Sequence, residues 1–186
     1  MNENQLKKIL MKHQLWLDKK DGGEYADLSN EDLTGAYLSG VKLSFANLCG
    51  ADLRSADLSN ADLDTANLSG TKLIGTNLNS ANLFDAKLMG ADLSNADLFN
   101  ANLSGTNLFS ANLRDANIIG ATLFSANLIN ADFTNADLTN ADLVIANLNN
   151  ANLSGADLTG ADLTGANTDN AIFTGANLTD VKGLEK

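Results

Sequence analysis

Leucine recurs every five residues, at positions 28, 33, 38, 43 and onward, with alanine two places before it and polar residues between. The phrase A-(D/N)-L-x-x runs from Ala26 to Asp180 without an insertion. Ala51-Asp52-Leu53-Arg54-Ser55 and Ala151-Asn152-Leu153-Ser154-Gly155 are typical copies. It occupies 155 of 186 residues, 31 copies in all. A spacing of five suits neither regular element. On an α-helix each step of five overshoots a full turn by about 140°, scattering the leucines round the axis. On a long strand an odd step sends successive leucines to opposite faces. Within one copy, however, Ala and Leu stand two apart and share a face of a short extended segment. The two residues after Leu are mostly Gly, Asn, Ser, Asp or Thr, which form turns. The pattern predicts extended pieces alternating with bends, wound into a coil with Ala and Leu inside.

If four copies close one coil, residues twenty apart stack at about 4.8 Å, and the repeats make a rod of about 7.75 coils and about 37 Å. Leu28, Leu48, Leu68, Leu88, Leu108, Leu128 and Leu148 then form one of four internal ladders. A chain of this kind resembles the pentapeptide-repeat proteins. The resemblance covers about five-sixths of the chain and implies an all-β fold, a right-handed quadrilateral β-helix with four repeats per coil. Departures from the motif are few. Glu31 stands where an inward Ala is expected, Val41 and Val181 are larger, and Thr71, Thr76 and Thr106 are near-isosteric. Thr168 replaces a central Leu, while Phe133 and Phe173 enlarge two others. Leucine-rich repeats mix steps of three and two, which this chain lacks.

The predicted organisation is a helical cap and linker over 1–25, the solenoid over 26–180 and a short tail over 181–186. A helix is predicted over 3–18, where Leu6, Ile9, Leu10, His13, Trp16 and Leu17 recur at helical spacing, with Asn2 or Asn4 as its cap. It should cover the apolar residues and unpaired edge of the first coil. The alternative use of such a basic amphipathic helix, membrane binding, would need the same apolar face. The tail is too short for a helix. The final edge is therefore expected to be covered by Leu184 or by a second copy of the chain.

Composition narrows the chemistry. One His and one Cys cannot build a His/Cys metal cluster. The serines have no histidine at repeat spacing to activate them, and no phosphate-binding glycine motif or calcium loop is present. The reading is of a protein without catalysis or cofactor. Stacked Asp and Asn before each Leu, such as Asp92, Asn112, Asp132 and Asn152, suit side-chain hydrogen bonding along the rod better than metal binding. A lone cysteine, the absence of a signal-like N-terminus and the lack of a long apolar run lead to the expectation of a cytoplasmic protein with no membrane role, and the family resemblance implies a bacterial source.

The outer surface is where function has to lie. The repeats carry 18 acidic and 5 basic side chains, a net of −13, which disfavours direct nucleic-acid binding. An acidic rod could instead imitate DNA, as the resemblance to gyrase-protecting quinolone-resistance proteins implies, although the repeats here lack the loops and C-terminal dimer helix of those members. Over about 37 Å, however, a duplex carries roughly 22 phosphate charges. A sharper feature is the residue after each central Leu. It is Ser or Thr towards the ends but becomes Phe84, Met89, Phe99, Phe109, Ile119, Phe124, Ile129 and Val144 in the middle. Sorted by twenties these fall in three consecutive columns, a candidate contact surface for an unidentified protein or a second copy of the chain.

Overall fold

In a computed structural model of the protein, describing residues 1–184, one helix precedes a solenoid. Helix α1 spans Glu3–Leu17. Asn2 caps it, its side chain accepting the Gln5 backbone N–H while the Gln5 side chain accepts the Asn2 N–H. This reciprocal pair satisfies two of the donors that a helix start leaves free. Gly23 follows in the return to the first coil. A side chain there would collide with the backbone of Leu15 and Trp16, so the linker can double back this closely only with glycine.

From Asp27 onward each residue before a central Leu pairs in parallel with the residue twenty positions later, from Asp27↔Asn47 through Asp162↔Lys182. Four repeats therefore make one coil. The pairing is a single-residue bridge on each side of the square, not an extended strand. Leu28 N–H donates to Asn47 O at 2.7 Å, Asn47 N–H donates back to Ala26 O at 3.0 Å, and Asn30 N–H donates to Cys49 O at 2.9 Å. The same set recurs coil after coil along the axis. The pairing reaches Lys182, two residues beyond the last repeat.

Each corner is a tight turn in which the N–H three residues after Leu returns to the Leu carbonyl, as Ala36 does to Leu33 at 3.0 Å. The third residue of every such turn has positive φ, the requirement of a type II turn. Gly and Asn accept it readily. Phe45 (φ 67°) and Ile145 (φ 52°) accept it at a cost, because a bulky or β-branched residue is disfavoured there.

Leu and Ala fill the interior, and nearly every one from coil two to coil seven is sealed from solvent. Phe133 is accommodated without exposure. The three inward threonines are buried with their hydroxyls satisfied: Thr71 Oγ1 donates to Leu68 O, Thr76 to Leu53 O and Thr106 to Leu103 O, each at 2.7 Å. Burying these hydroxyls is tolerated because each has a partner. Glu31 escapes burial because its position lies on the open edge of the first coil, where it stands 3.6 Å from the N-terminal ammonium.

The cap residues divide. Leu6, Ile9, Leu10 and His13 face the first coil, with Met1 beside them. Trp16 does not lie underneath. It sits at the rim, half-exposed, stacked on His13 at 5.5 Å and edge-on to Tyr25 and Phe45. Leu17 is only partly covered. The face turned to the first coil runs through the first three turns of α1 and gives way to an aromatic rim where the helix ends. At the other end Leu184 packs against the core but leaves Leu178 exposed, while Glu185 and Lys186 lie outside the described residues.

Candidate functional site

The outer surface follows from how each turn is held. The residue before Leu extends along the face, and where it is Asp or Asn its Oδ1 accepts the N–H of the residue after Leu. Asp97 accepts from Phe99 (3.1 Å), Asn107 from Phe109 (3.2 Å), Asn127 from Ile129 (3.3 Å) and Asp142 from Val144 (3.0 Å). The residue after Leu is thereby fixed at the corner with its side chain outside the coil. Its identity is free of the core's demands.

The same Oδ1 atoms carry a second bond along the rod. Asn117 Nδ2 donates to Asp97 and Asn112 Nδ2 to Asp92, both at 2.9 Å, and Asn102 Nδ2 donates to Asn82 at 3.0 Å. Asp and Asn thus serve as a hydrogen-bonded seam between coils. Bonds within the turn favour the ionised acid: Asp57, Asp157 and Asp162 are held below the usual carboxylate range, first by the hydroxyl and then by the backbone N–H of the residue two places on. Arg54 beside Asp52 takes that carboxyl down to about 2. Asp64 behaves oppositely. Burial, then the charges of Asp62 and Asp85, raise it, and its Oδ1 is enclosed without a hydrogen-bond partner. Among the described residues no group of three or more His, Cys, Asp or Glu is arranged to hold a metal.

With the register of twenty established, the apolar corner residues assemble as three neighbouring columns. The first corner stacks Met89, Phe109 and Ile129, the third stacks Phe99 and Ile119, and the fourth holds Phe84, Phe124 and Val144. Phe84, Met89, Phe99, Phe109 and Phe124 are exposed, whereas Ile119, Ile129 and Val144 are partly covered. The second corner carries Arg54, Ile74, Ser94 and Arg114 and is mostly polar. Ile145, half-exposed beside Val144, extends the patch. Phe45, also half-exposed, joins the aromatic rim at the cap. Both occupy the second turn position, where the repeat otherwise places Gly, Asn, Ser, Asp or Thr, and that departure is the sequence signal by which Phe45 could have been found.

The buried histidine of the cap is a joint. His13 Nδ1 accepts the Ala26 N–H at 3.1 Å, which leaves Nε2 carrying the proton and donating to Ser44 O at 3.1 Å. The ring is fully enclosed, and burial lowers its pKa against the opposing pull of the Ser44 carbonyl. It is a structural tie between α1 and the two ends of the first coil.

A sequence model described as pentapeptide repeats matches the chain in overlapping segments from residue 24 to residue 182. The chain belongs to the pentapeptide-repeat family, whose members form right-handed quadrilateral β-helices. Among solved structures, HetL, a pentapeptide repeat protein involved in heterocyst differentiation regulation from the cyanobacterium Nostoc sp. strain PCC 7120, is 32% identical. It aligns over 91% of this chain and 92% of its own, with a TM-score of 0.38. A pentapeptide repeat protein of the Arabidopsis thaliana thylakoid lumen is 34% identical over 65% of this chain and 67% of its own, TM-score 0.30. QnrB1, a plasmid-mediated fluoroquinolone resistance protein, is 20% identical over 82% of this chain and 83% of its own, TM-score 0.43. Among curated proteins, none matches the chain. No described helix is long and apolar enough to cross a membrane.

Proposed function

We propose that this pentapeptide-repeat protein is a non-catalytic interaction rod that docks a partner protein on the apolar stripe of its middle coils. The observation that carries this is the change of residue type at one structural position. The corner residue contributes nothing to the core, yet it turns from Ser and Thr to Phe, Met, Ile and Val in the middle coils on three adjacent corners, with Ser104 the one polar interruption. Contiguous apolar exposure of this kind marks contact surfaces. Covering about 40 Å² on each of eight such side chains would yield roughly 8 kcal/mol at about 25 cal/mol/Å² before the costs of association. The aligned columns, not a single side chain, make the site.

A photocrosslinking amino acid at Phe109 or Phe124, installed in the native host, should give a discrete adduct that is absent when the same group replaces Ser154 on the polar corner. The triple change Phe109→Ser, Phe124→Ser and Ile129→Ser, with crosslinking from Phe99, should remove it without changing the unfolding temperature. An adduct that survives the triple change would overturn the proposal. An adduct of twice the chain's mass would make the stripe a surface for a second copy.

The competing reading, imitation of DNA towards a topoisomerase, draws on the net charge of −13 across the repeats and on the resistance activity named for QnrB1. It has less support. Asn alternates with Asp along the faces, so the charge is diluted and spread over four sides. Supercoiling assays in which the protein neither inhibits gyrase nor protects it from a quinolone would end that reading.

A further inference from the structure

The surroundings of the stripe, resting on the interaction-rod reading above, say what kind of partner surface it takes. Backbone pairing is closed on the sides of the rod. In one central repeat Leu103, Gly105, Thr106 and Asn107 N–H all donate to backbone carbonyls, and Ser104 N–H donates to Asn102 Oδ1. Every amide donor of the repeat is used, so an added β-strand has no edge to pair with here. An occupant must bind through side chains alone, which is the mode of a helix laid against an apolar surface. Three coil steps separate Phe84 from Val144 on one corner. At about 4.8 Å each they span about 14 Å, the length of roughly ten helical residues.

Charge is distributed unevenly round this strip. The two faces inside it carry little charge: Asn82, Asn102, Thr122 and Asp142 on one, Lys87, Asn107, Asn127 and Asn147 on the other, one carboxylate against one ammonium. The face beyond Phe99 and Ile119 carries Asp97, Asp137 and Asp157 in line with Asn117. Their structural bonds fall on Oδ1: Asp137 Oδ1 accepts from Thr139 N–H and Oγ1, and Asp157 Oδ1 accepts likewise from Thr159. The second oxygen of each is left as charge along the rim. The opposite rim, with Asp92 and Asp132, is half compensated, because Arg114 pairs with Asp132 at 3.3 Å. The stripe is apolar in the middle, strongly acidic along one side and less so along the other.

We infer that the occupant is an amphipathic helix of a partner protein, apolar on its contact face and bearing a row of Lys or Arg on the side that meets Asp97, Asp137 and Asp157. The test uses two synthetic helical peptides of about 14 residues with the same Leu face. One carries a row of Lys along one rim, its twin a row of Glu. Binding to the full chain is read by fluorescence anisotropy at low and high salt.

The Lys peptide should bind about tenfold or more tightly than its twin at low salt and lose most of that advantage at high salt. Changing Asp97, Asp137 and Asp157 together to Asn keeps every Oδ1 acceptor and should weaken the Lys peptide about fivefold or more. Asp92→Asn with Asp132→Asn should do much less. If the two peptides bind alike, or the triple Asn variant binds unchanged, the basic-rimmed helix is overturned while the stripe stands. If Phe109→Ser, Phe124→Ser and Ile129→Ser leave Lys-peptide binding intact, attraction is by bulk charge alone. The stripe reading then fails with it.

Discussion

The first and last coils of the rod are built from the same five-residue phrase and have opposite fates. Leu28, Leu33, Leu38 and Leu43 are sealed beneath α1. Leu178, Phe173 and Ala176, in equivalent inward positions of the last coil, remain partly or largely open, and Leu178 is 41% exposed. The local sequence does not explain this, since each copy folds its turn and offers Leu inward in the same way. What differs is the next layer. An inward Leu has neighbours above and below in the axial stack, and removing one side leaves it half in water. Burial in a solenoid is set by the coil twenty residues away and, at its ends, by whatever covers them.

The largest effect should come from truncating the same residue at different heights. Leu88→Ala in the middle is expected to cost about 3 kcal/mol, whereas Leu178→Ala should cost less than about 1 kcal/mol, because a cavity needs a closed wall. Urea midpoints of the two variants measure this directly, and equal losses would break the comparison.

At the covered end, His13→Ala should cost about 2 kcal/mol by leaving the Ala26 N–H and Ser44 carbonyl enclosed without partners. pH should act through the same joint. Burial lowers the folded pKa of His13, so its contribution is complete above the unfolded value of about 6.5 and is lost as pH falls towards the lowered folded value. Below about pH 6.5 the Ala26 amide should exchange faster and the fluorescence of Trp16, the only tryptophan, should change. The amides of the middle coils should not respond. Global loss of protection would mean that the cap is not a separable layer.

Smaller effects sharpen the contrast between turn and core. Ile145 takes the left-handed conformation that neighbouring copies give to Asn or Gly. Ile145→Asn should therefore raise stability by about 1 kcal/mol despite removing apolar surface. A loss on that change would show that Ile145 packs along the rod. Asp64→Asn should add about 0.5 kcal/mol at neutral pH. Since burial and Asp62 and Asp85 raise the Asp64 pKa, its cost is present above the folded pKa and vanishes in acid, so the gain should shrink as pH falls. A gain independent of pH would remove charge as the cause.

The period of five, the inward Ala and Leu and the turn residues were readable because each copy repeats a local preference. So was the apolar stripe, whose columns follow once the period of the coil is known. The number of copies per coil rested on family resemblance, because periodicity alone allows other closures. The structure supplies it through bridges between residues twenty apart. His13 was legible as a cap residue. Its two-sided bond to Ala26 and Ser44 was not, because those atoms meet only after the linker has doubled back at Gly23. Phe45 and Ile145 in left-handed turns also ran against local preference, their conformation being imposed by the coil pairing on either side.

The amino-acid sequence by itself determined the repeating unit and which side chains face inward, because these depend on residues two to five apart. Tertiary structure alone decided which inward leucines are sealed, which Asp charges are compensated and how the cap is tied down. Each of those depends on atoms brought together from another coil or another element, and the energy of burying or pairing a group is set by what encloses it.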